Sequence, residues 1–145
     1  MYKMKLFTIV FCCLGLICPS LVMAQNFDGK TPMLCALVDV NECHPGEDCQ
    51  RFSAASVGLP TFVKVDVEGQ VLRSADPDTE KVTAIKSVAR IDGNIILQGA
   101  EDGDSEEDDS VGWTLSIDQE SGKMIFSASR ELAGFVVFGS CVELD

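Results

Sequence analysis

The sequence contains a single histidine, His44, and this scarcity removes several kinds of chemistry at the outset. A Ser-His-Asp triad needs a histidine as its general base, and no Gly-x-Ser-x-Gly motif is present to supply the nucleophile. A structural zinc site needs paired cysteine and histidine spacings that do not occur, and the adjacent residues Cys43 and His44 rarely reach one metal together. We therefore interpret His44 as a surface loop residue and predict that the protein is not an enzyme.

Basic residues are also scarce, since 11 Lys and Arg stand against 23 Asp and Glu. Loss of Lys3 and Lys5 with the leader described below would leave nine against 23, a net charge of −14. Nucleic acids are bound through clusters of Lys and Arg that meet phosphates, and anionic membranes repel an acidic surface. The composition therefore argues against both as partners and leaves an unknown small molecule or protein.

Long apolar segments are absent except at the N-terminus. There, Lys3 and Lys5 precede an apolar stretch that ends at Pro19, and residues 22–24 form a small-residue cleavage site. This pattern predicts a signal peptide over residues 1–24 and one domain over residues 25–145. The alternative is an uncleaved membrane anchor, for which the stretch is short. We expect a periplasmic or secreted protein that is not inserted in the membrane after cleavage.

The Cys-x-x-Cys motif of redox proteins is missing, although four cysteines follow the leader. In an oxidising compartment, four cysteines most simply form two disulfides, and three pairings are possible. Cys43 and Cys49 flank a Pro-Gly turn, so a local bridge between them is easy to form. Cys35 would then pair with Cys141, worth about 4 kcal/mol in the chain-entropy model, and tie the first strand to the last where an open sheet has its edges.

No segment after residue 25 has the spacing of a long helix, whereas short alternating or apolar stretches recur between turn signals. The strongest local signal is the Asp92-Gly93 hairpin turn. The pattern predicts an all-β fold, a small disulfide-stapled antiparallel meander barrel or barrel-like sandwich of seven or eight strands. We expect a helical turn within 53–59 and the strands 33–42, 62–67, 70–74, 81–91, 94–99, 113–117, 124–128 and 135–138. The apolar run 135–138 is typical of a strand that is covered on both sides or lies at a closure seam.

Aromatic residues are few, at 7% of the chain, and five of them fall on predicted strands. Trp113 and Phe126 are the candidates for a ligand pocket at the mouth of a barrel, and Phe62, Phe135 and Phe138 share the pattern. The alternative is that these side chains simply fill the interior, since an eight-stranded barrel is just wide enough for its own side chains.

Acidic residues concentrate between two predicted strands, where the segment 101–109 holds seven carboxylates in nine residues. Oxygen clusters of this kind bind calcium, with Asp102, Asp104, Glu106 and Asp108 as candidate ligands. The spacing is not that of a 12-residue calcium loop, because Glu107 stands at the turn glycine position and Trp113 at position twelve. The alternative is a solvated loop, and apart from this calcium candidate we expect no cofactor.

Several short segments carry a resemblance. Residues 33–36, 59–62, 96–99, 112–115 and 136–141 are similar to those of a family of small exported bacterial β proteins with no assigned function. More loosely, the meander resembles lipocalin-like barrels that bind small apolar ligands, although the Gly-Trp pair falls late in this chain. We predict an exported, non-enzymatic binding or accessory module, with a calcium-dependent interaction protein as the alternative.

Overall fold

The computed structural model describes residues 26–78, 81–102 and 110–144, so the predicted leader lies outside the described residues. The described chain is all-β. One short 3₁₀ helix, Ala55–Val57, lies where the helical turn is predicted. The strands are β1 (Met33–Cys43), β2 (Gln50–Phe52), β3 (Phe62–Asp66), β4 (Val71–Ser74), β5 (Val82–Ala84), β6 (Ser87–Ile91), β7 (Asn94–Glu101), β8 (Val111–Asp118), β9 (Lys123–Arg130) and β10 (Ala133–Glu143).

All ten strands belong to one curled antiparallel sheet that forms a half-barrel. The order across the sheet is β5-β4-β3-β1-β10-β9-β8-β7-β6, and the short strand β2 pairs with β1 beside this path. Strands β6 to β10 therefore follow each other up and down, as the meander prediction requires. The Asp92-Gly93 turn joins β6 to β7 with positive φ angles of 48° and 77°, which confirms the hairpin signal.

The prediction of seven or eight strands is too low for two reasons. The predicted strand 81–91 is two strands, because its backbone changes partners in the middle. The Ile85 N–H donates to the Gln70 carbonyl at 2.9 Å, whereas the Lys86 N–H donates to the Gln98 carbonyl at 2.8 Å. The second reason is β2, whose three residues had no apolar alternation to reveal them.

The core lies on the concave face of the sheet and follows the two-residue period of the strands. On β8, Trp113, Leu115 and Ile117 are at most 5% exposed, while the intervening side chains are partly exposed. On β3, Val65 is fully buried and Lys64 is exposed. The fully buried side chains come from both halves of the sheet: Met33, Cys35, Val40, Val65, Ile95, Leu97, Leu115, Ile117 and Val137.

The apolar run at 135–138 is covered on one side only, so the prediction of double cover is wrong. Val137 is fully buried on the concave face, but its neighbour Phe138 points outward and is 45% exposed. The alternative of a seam fits better, because β10 pairs along its length with β1 and so joins the last strand to the first.

Both disulfides form with the predicted pairing. Cys35 and Cys141 are directly opposite each other on β1 and β10, with Cα atoms 3.9 Å apart. Cys43 and Cys49 close the β1–β2 connection, with Cα atoms 4.2 Å apart. The long bridge does not seal the sheet edges, contrary to expectation, because β1 and β10 lie in the middle of the sheet.

Candidate ligand pocket

The concave face does not fill completely, and a partly enclosed apolar cavity of about 120 Å³ remains near Trp113. Its walls come from two parts of the sheet that are far apart in sequence, β3 to β5 on one side and β8 and β9 on the other. The apolar lining consists of Leu37, Leu59, Pro60, Val63, Leu72, Trp113, Leu115, Met124 and Phe126.

Trp113 is positioned by a glycine opposite it. Gly99 on β7 pairs with Trp113 on β8, and a methyl group at Gly99 would collide with the indole ring and with the Ala84 carbonyl oxygen. The absence of a side chain at this position lets the indole lie across the neighbouring strand. The sequence therefore places the largest side chain of the domain beside its smallest residue.

Two contacts hold the indole in place. Its Nε1–H donates to the hydroxyl oxygen of Thr83 on β5 at 3.3 Å. Its ring stacks on Phe126 of β9, with centroids 6.2 Å apart and planes inclined by 26°. A buried indole N–H usually needs such a partner, so the remaining surface of the ring facing the cavity is purely apolar.

Charged groups stand only at the rim of the cavity. Arg73, Lys81 and Glu101 contribute to the lining, and all three residues are exposed. The Lys81 ammonium lies 3.5 Å from the Gly58 carbonyl oxygen. Among the described residues, no buried side-chain nitrogen or oxygen lacks a hydrogen-bond partner. The interior is thus suited to a hydrocarbon or aromatic group whose polar part stays at the rim.

The two predicted pocket residues line the same cavity, and the other three aromatic residues on predicted strands do not. Trp113 and Phe126 share the cavity wall. Phe62 and Phe138 point to the convex face instead, 42% and 45% exposed, and Phe135 packs against the core outside the cavity. Sequence reasoning missed Leu59 and Pro60, because this loop comes to line the same cavity as β8 and β9 only through the curl of the sheet.

A second, more open recess of about 350 Å³ lies where Gln98, Thr114 and Ser127 meet across β7, β8 and β9. Half of its lining residues are polar and none is charged, and the Gln98 amide lies 3.5 Å from the Thr114 hydroxyl. It lacks the enclosing apolar walls of the first cavity, which we therefore take as the candidate site.

The calcium candidates stay a prediction. Asp102 is exposed at the end of β7, and Asp104, Glu106 and Asp108 lie outside the described residues. Within the described ranges, no group of three or more His, Cys, Asp and Glu side chains is arranged to hold a metal ion.

His44 has contacts that tie the small disulfide loop to a distant turn. Its Nδ1 lies 3.1 Å from the Leu132 carbonyl oxygen, 88 residues away, and its Nε2 lies 3.1 Å from a Glu42 carboxylate oxygen. Glu42 also lies 3.9 Å from the Arg130 guanidinium. The side chain is partly exposed, and its neighbours are a carbonyl, an acid and a base that hold two hairpins together.

No family model, curated protein or solved structure matches this chain. In the part of the chain that the structure describes, no helix is both long enough and apolar enough to cross a membrane. The two disulfides are consistent with a periplasmic or extracellular protein, since such bonds persist in oxidising compartments.

Proposed function

We propose that the protein is an exported, non-enzymatic binding module that takes an apolar group of a small molecule into the cavity beside Trp113. The observation that carries this proposal is the cavity itself, in which Trp113 and Phe126 form one wall and Leu59, Pro60 and Val63 contribute to the other. Apolar walls with a few polar groups at the opening are typical of small-molecule sites.

The size of the cavity limits the ligand. Protein cores are close-packed, and empty apolar volume costs about 24 cal/mol per Å³. An enclosed void of about 120 Å³ would therefore cost roughly 3 kcal/mol, which is the upper bound on what an apolar guest recovers from this partly open cavity. A dry cavity of about 150 Å³ holds a benzene ring, so the guest here is a group of about six carbon atoms or fewer.

The fluorescence of Trp113 provides the test, because it is the only tryptophan in the chain. We would titrate the protein with linear primary alcohols from butanol to dodecanol. The affinity is expected to rise about fourfold per added methylene until about six carbons are buried, and then to level off. An affinity that rises without a plateau, or an unchanged Trp113 signal throughout the series, would contradict the proposal.

A filled cavity supplies the matched control. Val63→Phe places a ring at the cavity wall, whereas Val82→Phe adds the same ring at a residue that is 54% exposed and outside the lining. We expect Val63→Phe to lose alcohol binding and Val82→Phe to keep it. The melting curve of each variant is also recorded, because overpacking a core can destabilise the fold.

Export is part of the proposal, supported by the leader pattern and the two disulfides. Native mass spectrometry of the protein from its own source should give residues 25–145 at about 4 Da below the reduced mass, for two disulfides. A mass that includes the leader would contradict cleavage.

A further inference from the structure

The convex face of the sheet carries a row of side chains that run directly across five strands. Cross-strand pairs place Val142 beside Leu34, Leu34 beside Lys64, Lys64 beside Arg73, and Arg73 beside Val82. Lys64 and Arg73 are exposed, and Val82 and Val142 are 54% and 52% exposed. Two cations thus stand side by side with exposed aliphatic side chains at each end of their row.

Two neighbouring rows on the convex face add a third cation and further exposed apolar side chains. Lys123, Ser140, Ala36 and Phe62 form one row across β9, β10, β1 and β3, and Ile125 lies directly opposite Phe138 in the next. Phe62, Ile125 and Phe138 are 42%, 49% and 45% exposed. We call this surface the outer basic face: Phe62, Lys64, Arg73, Lys123, Ile125 and Phe138.

Within the described ranges, none of the three cations of this face forms a salt bridge. The salt bridges among the described residues involve Lys30, His44, Arg51 and Arg130, and none involves Lys64, Arg73 or Lys123. Asp39, opposite Phe138 on this face, is bound to Arg51 at 2.6 Å. Asp66 lies two residues from Lys64 on β3, and Asp118 attracts Lys123 without forming a salt bridge with it. Like charges directly opposite on a sheet repel, so an external anion beside Lys64 and Arg73 would relieve this repulsion.

The strong net acidity of the chain does not cancel this local charge. A screening length of about 8 Å at physiological ionic strength means that a ligand at one face senses mainly the charges of that face. The 23 acidic residues give the whole chain a negative charge that repels an anionic surface. At contact, however, the surface interacts mainly with the cations of the outer basic face.

We propose that the outer basic face docks peripherally on an anionic lipid bilayer, without insertion. Lys64, Arg73 and Lys123 meet the lipid phosphates, and the aromatic and aliphatic side chains between them enter the interfacial layer. This arrangement leaves the cavity on the opposite, concave side of the sheet open to the aqueous phase. The outer basic face shares only Arg73 with the cavity lining, so a test at Lys64 and Lys123 can fail without the cavity proposal failing.

The test uses the full chain expressed with its leader and purified from the exported fraction, mixed with vesicles. We expect binding to vesicles of phosphatidylglycerol and phosphatidylcholine at 3:7 and much weaker binding to phosphatidylcholine alone. Lys64→Glu with Lys123→Glu should reduce the partition coefficient at least 25-fold, at about fivefold for each cation lost. Arg73 is left unchanged because it also contacts the cavity rim.

The matched control is Lys30→Glu with Lys86→Glu, which changes the net charge equally at two exposed lysines outside the outer basic face. It should bind the anionic vesicles within about twofold to threefold of the unmodified protein. Equal losses in both double variants, equal binding to both vesicle types, or no binding would overturn the proposal. Binding to poly-L-glutamate without binding to vesicles would overturn it in favour of an acidic polypeptide.

Discussion

The two disulfides of this domain share one chemistry and have opposite surroundings. Cys35 and Cys141 are 0% and 4% exposed in the middle of the sheet, and they close a loop with a sequence separation of 106. Cys43 and Cys49 are separated by six positions at the periphery, and Cys49 is exposed. The first bridge is a core contact that joins strands β1 and β10, whereas the second closes a local loop.

Removing the long bridge should have the largest effect. The double variant Cys35→Ala, Cys141→Ala is expected to lose about 4 kcal/mol or more, because loop-closure entropy and buried sulfur contacts disappear together. Chemical denaturation measures this loss. If the free energy of unfolding falls by less than about 1 kcal/mol, the bridge contributes little beyond the β1–β10 pairing, and the contrast between the two disulfides fails.

Removing the short bridge should have a smaller, local effect. The variant Cys43→Ala, Cys49→Ala is expected to lose about 2 kcal/mol or less, because the closed loop is short. Hydrogen exchange should quicken in β2 and the adjacent end of β1 and stay unchanged around Val137. Faster exchange throughout the sheet would show that the loop supports the core after all.

The smallest expected effect concerns the histidine beside the short bridge. His44→Ala removes the contacts to Leu132 and Glu42, which are partly exposed and together worth about 0.5 kcal/mol. In a double-mutant cycle with the short disulfide removed, the cost should rise, since the contact then holds the loop alone. Strictly additive free energies of unfolding would separate His44 from the disulfide loop.

Much of this structure could be predicted from local pattern. The alternation at Trp113, Leu115 and Ile117 identified the buried face of β8, and the Asp92-Gly93 turn identified a hairpin. The position of Cys43 and Cys49 around a Pro-Gly turn was enough to assign both bridges. These features depend on neighbours in sequence or on the elimination of alternatives.

The features that the sequence did not predict depend on contacts between distant segments, many of them made through the curl of the sheet. The change of partner between Ile85 and Lys86 is not visible in the sequence, because the pattern of apolar side chains does not say which strand accepts the backbone N–H groups. Leu59 and Pro60 come to line the same cavity as Phe126 only through the curl of the sheet. The run 135–138 was expected to be covered on both sides or to lie at a seam, and the exposed Phe138 shows that an apolar run alone does not reveal whether its second face has a partner.

The partner change at Ile85 and Lys86 also bears on how this protein behaves at high concentration. Strands β5 and β6, the two edges of the sheet, have only three and five residues and follow each other directly in the chain. Long, flat edges are templates on which another molecule can add a strand and start aggregation. By ending the sheet in two short consecutive segments, the fold offers little backbone for that addition, even though β1 and β10 reach 11 residues each.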